Sequence, residues 1–173
     1  MRSVELALRS HRTDPGTAYR RITDFGRYPD LVEEIRSVRV RPGDHEAEST
    51  SEWEIHFRNG PLRWTEIDRL DAGRRQIVFE QTEGDFEVFH GSWRVDPAGD
   101  NGCEVAFEAA FDFGIPSLAG ILEPLAARVL TEAVGVIVVR LLGDATVLDD
   151  PATGAVVHTR CADTAPSQST PAG

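Results

Sequence analysis

The residues available for chemistry are defined first by a subtraction. All 18 basic residues are arginine, and lysine is absent. Schiff-base catalysis, a phosphate-loop lysine and a lysine general base are therefore excluded. Arginine, five histidines, carboxylates, hydroxyls and two cysteines remain. His56 and His90 fall within extended segments, where a histidine near an apolar pocket could shuttle protons. Alternation places His56 on a polar strand face and His90 on the opposite parity to Trp93, so structural roles are expected for both. His11, His45 and His158 lie in edges, loops or the tail, and the sequence has neither H-x-x-x-H nor H-E-x-x-H, so no metal is expected. Ser92 follows Gly91 inside a strand and lacks the turn of a nucleophile elbow. Cys103 and Cys161 are too far apart in sequence to imply a disulfide framework or a zinc motif.

Charge narrows the partners. The formal charge of -11 disfavours binding to nucleic acid in the absence of a local basic patch, and the arginines are interspersed with acids. Residues 1–11 are charged every few positions, unlike a signal peptide, and no apolar run approaches the roughly 18 residues of a membrane span. A cytoplasmic protein without membrane insertion is the expectation.

The elements that must position these groups are mostly strands. Trp53, Ile55 and Phe57 alternate with Glu52, Glu54 and His56, and Asn59-Gly60 follows as a hairpin turn. Further strands run over 62–70, 75–82 and 86–95, and the longest alternation puts Cys103, Val105, Phe107, Ala109, Phe111 and Phe113 on one face. Val4 to Leu8 and Ile35 to Val40 add two more. Asp14-Pro15 and Tyr28-Pro29 open short helices. From Ser117 to about Leu142 the apolar spacing is helical, with a kink expected near Pro124. The fold class is thus α+β: a curved antiparallel sheet of about seven strands around a long C-terminal helix, with two short helices after strand 1. Residues 1–147 form this domain, and residues 148–173, rich in Pro, Ala, Thr and Ser, are expected to be a disordered tail. Small residues on the long helix, among them Ala126, Ala133 and Gly135, facing bulky aromatics on the sheet, could leave an apolar cavity between the layers. The same residues would equally make a fully packed core. One uncovered edge strand could pair across a homodimer.

The order of elements, together with DFGRYPDL over residues 24–31, Gly84-Asp85-Phe86 and Gly91-Ser92-Trp93-Arg94-Val95, resembles the helix-grip superfamily. That superfamily includes the START-type lipid-binding proteins, the coenzyme Q-binding proteins and the bacterial polyketide aromatase/cyclases, and the likeness covers about residues 3–145. It implies an apolar tunnel holding a hydrophobic small molecule: a polyketide, a quinone or a lipid. Two functions follow, a cofactor-free polyketide cyclase/aromatase or a non-catalytic quinone or lipid carrier.

On the cyclase branch the resemblance carries a catalytic arginine onto Arg69. Its five fixed donors would hold an enolate oxygen in a dry cavity, while its high pKa makes it a poor acid. The family's accompanying serine and tyrosine fall on Ile67 and Ile35, so that proton relay is missing here. Thr65 could supply a hydroxyl, and Glu80 stands where family members carry a second pocket arginine. Trp53, Phe57, Phe89 and Trp93 are the aromatic lining expected for a planar ligand.

Overall fold

Apolar and polar residues alternate along each strand, and the sheet is built on that alternation. A computed structural model describes residues 1–57 and 60–163. Strand β1 (Arg2–Ser10) buries Val4, Leu6 and Leu8 and leads into α1 (Pro15–Ile22), a 3-10 turn (Phe25–Arg27) and α2 (Tyr28–Leu31). Six antiparallel strands follow: β2 (Ile35–Pro42), β3 (Glu48–Phe57), β4 (Gly60–Asp71), β5 (Gln76–Gly84), β6 (Val88–Ala98) and β7 (Gly102–Asp112). Then come α3 (Pro116–Leu142), β8 (Thr146–Leu148) and α4 (Pro151–Ala162). The sheet order is β2-β3-β4-β5-β6-β7-β1-β8, curved and unclosed. Its concave face grips α3, so the helix-grip architecture is confirmed, with eight strands instead of about seven.

Turn chemistry explains the main boundaries. Asp14 caps α1 by accepting from the Thr17 N–H at 3.0 Å and the Thr17 hydroxyl at 2.7 Å, with Pro15 in the first turn. Phe57 pairs with Gly60 in the β3–β4 ladder, while Asn59 of the expected turn lies outside the described residues. Gly114, at φ 72°, ends the last long strand before α3. Helix α3 continues through Pro124, where the kink is expected.

Residues 148–163 correct the expected tail. Leu148 closes β8, which pairs with β1, and 151–162 form a helix packed on α3. Asp150 caps α4 as Asp14 caps α1, accepting from the Thr153 N–H at 3.0 Å and its hydroxyl at 2.6 Å. Val157 is 2% exposed and rests on Gly135, where a Cβ would lie 2.6 Å from Val157 Cγ2. Gly135 thus makes room for α4 and not for the cavity. Covered by the sheet on one side and α4 on the other, α3 is buried at every position from 133 to 138. Residues 164–173 lie outside the described residues.

Candidate functional site

Between the concave sheet and α3 lies a cavity of about 90 Å³. Its sheet wall is aromatic because the inward parity of each strand carries rings. Trp53 of β3 and Trp64 of β4 are cross-strand partners whose rings stack at 5.7 Å with an interplanar angle of 1°. Phe86 and Phe89 stack at 4.8 Å, and Trp64 meets the Phe89 ring edge-on at 5.2 Å. Tyr28, carried inward by α2, closes on Trp53 and Trp93 from the side. The helix wall supplies small or aliphatic side chains, including Ala126, Ala133 and Ile137. Large sheet residues and small helix residues leave the layers apart at this point.

Two carboxylates reach this lining, Glu34 and Glu66. Glu34 is neutralised at the cavity edge by Arg160 of α4, at 2.6 and 2.9 Å. Glu66 belongs to a buried network on the inward parity of β3 and β4. Its Oε2 accepts the indole N–H of Trp64 at 2.7 Å. Ser51 Oγ donates to Asp68 Oδ2 at 2.5 Å, lies 3.4 Å from Glu66 Oε1, and accepts the Trp53 indole N–H at 2.7 Å. Glu66 is 4% and Asp68 0% exposed. Burial, then the charge of Asp68, push Glu66 well above the usual carboxylate range; burial raises Asp68 too. Burial thus disfavours ionising both carboxyls, Ser51 links the two, and the buried Asp68 Oδ1 has no hydrogen-bond partner. The two carboxyls and Ser51 form a buried acid network, of which Glu66 reaches the wall of an apolar cavity.

Other candidate groups are engaged or inert. The Tyr28 hydroxyl donates to the Ile22 carbonyl at 2.5 Å and is held neutral by burial and by the charge of Asp68. Burial pushes the Cys103 thiol up to about 11, so it is no nucleophile near neutrality. Among the described residues no group of three or more His, Cys, Asp or Glu could hold a metal, and no helix is long and apolar enough to cross a membrane.

The structure divides the residues singled out in the sequence into two sets. Trp53, Phe57, Phe89, Trp93 and Ile35 line the cavity. Thr65, Ile67, Arg69 and Glu80 do not. On β4 the inward residues are Trp64, Glu66 and Asp68, so 65, 67 and 69 alternate to the outer face. The Arg69 side chain is 55% exposed and lies 3.9 Å from Glu48 across the ladder. Glu80 points outward between the inward residues Phe79 and Gln81. On a strand the face alternates at every residue, so the position carried over to Arg69 falls on the outer face. The sequence reading missed Ser51, Trp64, Glu66 and Asp68, although a signal existed. In the hairpin Trp53 sits opposite Trp64, so a dry Trp53 puts Trp64 inside and period two takes 66 and 68 with it.

A half-closed sheet gripping a helix over an aromatic cavity defines a protein that encloses a hydrophobic small molecule. The chain belongs to the polyketide cyclase / dehydrase and lipid transport family, which matches residues 13–135. In structure it is similar to TTHA0849 from Thermus thermophilus, at 21% identity and TM-score 0.71, covering 92% of this chain and 99% of that one. It is also similar to a START superfamily protein from Mycobacterium smegmatis, at 15% identity and TM-score 0.70, covering 82% and 97% of the two chains. The Zhui aromatase/cyclase from Streptomyces sp. R1128 matches at 17% identity and TM-score 0.59, covering 96% of each. At these identities the likeness establishes the fold. No curated protein matches the chain in sequence.

Proposed function

We propose that the protein is a cyclase/dehydratase acting on an uncharged aromatic or poly-β-ketone intermediate held in this cavity. The observation that carries this reading is the aromatic box around the stacked Trp53 and Trp64, which has flat faces for a planar conjugated ligand. Membership of the polyketide cyclase / dehydrase and lipid transport family supports it. Among the described residues the lining contains no arginine or lysine, so an anionic ligand such as a fatty acid would meet no counter-charge there, and would lie beside Glu66. Cyclisation and loss of water change no oxidation state overall, so the reaction requires no redox cofactor.

Volume constrains how the ligand sits. A cavity of about 90 Å³ is smaller than the roughly 150 Å³ engineered cavity that holds benzene and the roughly 300–1,000 Å³ of ordinary ligand pockets. An aromatic ring therefore needs the cavity to widen, and the half-buried Phe57, Leu62 and Leu130 in its lining are the side chains with room to move.

Ala133→Phe tests the cavity directly. Its side chain would occupy the space opposite the tryptophans, and overpacking of this kind costs about 1–3 kcal/mol, within the margin of a folded domain. Titration with acetophenone, followed by tryptophan fluorescence, should show binding to the wild type and at least about tenfold weaker binding to the variant, a loss of roughly 1.4 kcal/mol. Equal affinity would place the ligand elsewhere. Binding without turnover of any β-hydroxy ketone would favour the carrier function.

A further inference from the structure

The buried acid pair gives the cavity a chemical function. We propose that Glu66 is the proton-transferring group of this site, positioned by Asp68 and Ser51, and that its substrate is an uncharged β-hydroxy ketone that loses water against it. The inference rests on the cyclase/dehydratase reading and adds a catalytic residue to it.

Three observations converge. Glu66 is the lining carboxyl without an arginine partner, since Glu34 is paired with Arg160. Its carboxyl is held in a fixed frame: Trp64 on Oε2, and Ser51 beside Oε1, linking it to Asp68. Asp68 does not line the cavity, yet its buried Oδ1 has no hydrogen-bond partner and is left able to take a proton. For a purely structural role, this is an expensive arrangement. Two carboxyls without a cation cost more to bury than a hydrophobic pair of similar size. As a proton store beside an apolar ligand it is suitable, because a carboxylate in a dry site is a stronger base than one in water.

The step balances within substrate and pair. The step starts once the single proton has passed from Glu66 through Ser51 to Asp68: the Glu66 carboxylate then takes the proton α to the ketone, and the C–H electrons become the enolate. The pair now carries two protons and no charge. Glu66 then gives a proton to the β-hydroxyl as the C–O bond breaks. The enolate electrons re-form the carbonyl and close the new C=C bond, water leaves, and the pair returns to one proton. Asp68 stores the proton that makes Glu66 basic, and Ser51 fixes the geometry between them.

The aldol adduct of benzaldehyde and acetone is a suitable probe: it is neutral, and its loss of water gives a conjugated enone followed by absorbance. Wild-type protein should accelerate that loss. Glu66→Gln should lower kcat by about a hundredfold or more, the usual scale of general acid–base catalysis, with adduct binding by tryptophan fluorescence kept within twofold. Arg69→Ala, on the outer face, should change neither. The pH profile separates chemistry from mere packing. Wild type should give a bell: with two protons on the pair there is no base, and with none the enolate forms against a remaining carboxylate. Asp68→Asn should reduce the bell to its acid limb. The other titratable group facing the pair is Tyr28 of α2, held neutral; Glu34, paired with Arg160, also lines the cavity. Wild-type turnover by Glu66→Gln, or a wild type that binds the adduct without dehydrating it, overturns the proposal and leaves the cavity reading standing. Failure of the wild type to bind the adduct overturns both. If Glu66→Gln does not fold, the profiles of the wild type and Asp68→Asn decide, and a flat wild-type profile overturns the proposal.

Discussion

Gly91→Val is expected to abolish the fold. Gly91 sits in β6 between Phe79 of β5 and Ala109 of β7, on the inward parity shared with Phe89 and Trp93. A Cβ there would lie 2.2 Å from the Glu108 carbonyl oxygen, 2.5 Å from Phe79 Cζ and 2.9 Å from Ala109 Cα. Two of those three atoms are backbone of the neighbouring strand, so no rotamer change relieves the clash. Ordinary overpacking costs about 1–3 kcal/mol because side chains can move aside. Here the β6–β7 ladder would have to open at its centre, beneath the Phe79 ring that helps line the cavity. The loss is comparable with the whole stability of a domain, about 5–15 kcal/mol. Expression of Gly91→Val should give insoluble protein or a chain without a cooperative melt. A melt within a few degrees of wild type would show that the ladder yields where the distances say it cannot.

The same glycine shows what sequence can convey. Gly91-Ser92 was legible as a strand segment lacking the elbow of a hydrolase, but the cause of the glycine was not, because the ring it accommodates comes from another strand. The inward parity of β3 and β7 was legible because apolar alternation is a local signal, whereas on β4 the inward acids Glu66 and Asp68 hide it. Helix α4 was missed for the opposite reason. Its composition is that of a flexible tail, and its burial depends on a single valine against Gly135, more than twenty residues earlier. A local signal was nonetheless present. Asp150-Pro151-Ala152-Thr153 repeats the cap of Asp14-Pro15-Gly16-Thr17, and both make the same pair of bonds.

The site was half legible, and the division follows the physics. The aromatic wall lies on apolar parity and could be read directly. The acid pair could not be read by residue type, since a glutamate and an aspartate in a strand ordinarily face water. Only their phase relative to Trp64 gives them away, and Trp64 is dry because Trp53 stacks on it. Arg69 failed by the same rule. Its residue type suited the expected chemistry, but its parity placed it beside Glu48 in solvent.

The acid pair also governs stability, with a definite sign. Glu66→Gln should melt with the wild type in mild acid and progressively above it as pH rises. Burial, and then Asp68, raise the folded Glu66 well above its unfolded value of about 4.3. A group raised in the folded state contributes its stability in full below the unfolded value and loses it as pH climbs toward the folded one. Ionising Glu66 favours the unfolded chain throughout that window. Glutamine resembles the protonated acid: its amide can donate to Ser51 and its oxygen accept from Trp64, and it never ionises. Asp144 and Asp150 slope the other way in both proteins and cancel in the difference. For Asp144 burial opposes the shift but is outweighed by bonds from Ser10 and the backbone, and Asp150 is held down by Thr153. A buried charge without a partner costs about 3–5 kcal/mol, and 1 kcal/mol moves the Tm of a chain this size by about 2–4 °C. By pH 9 the gap should therefore reach on the order of 5 °C or more. Melting curves that stay parallel from pH 5 to pH 9 would mean that Glu66 ionises freely where it stands, and a carboxyl that ionises freely stores no proton for the chemistry proposed here.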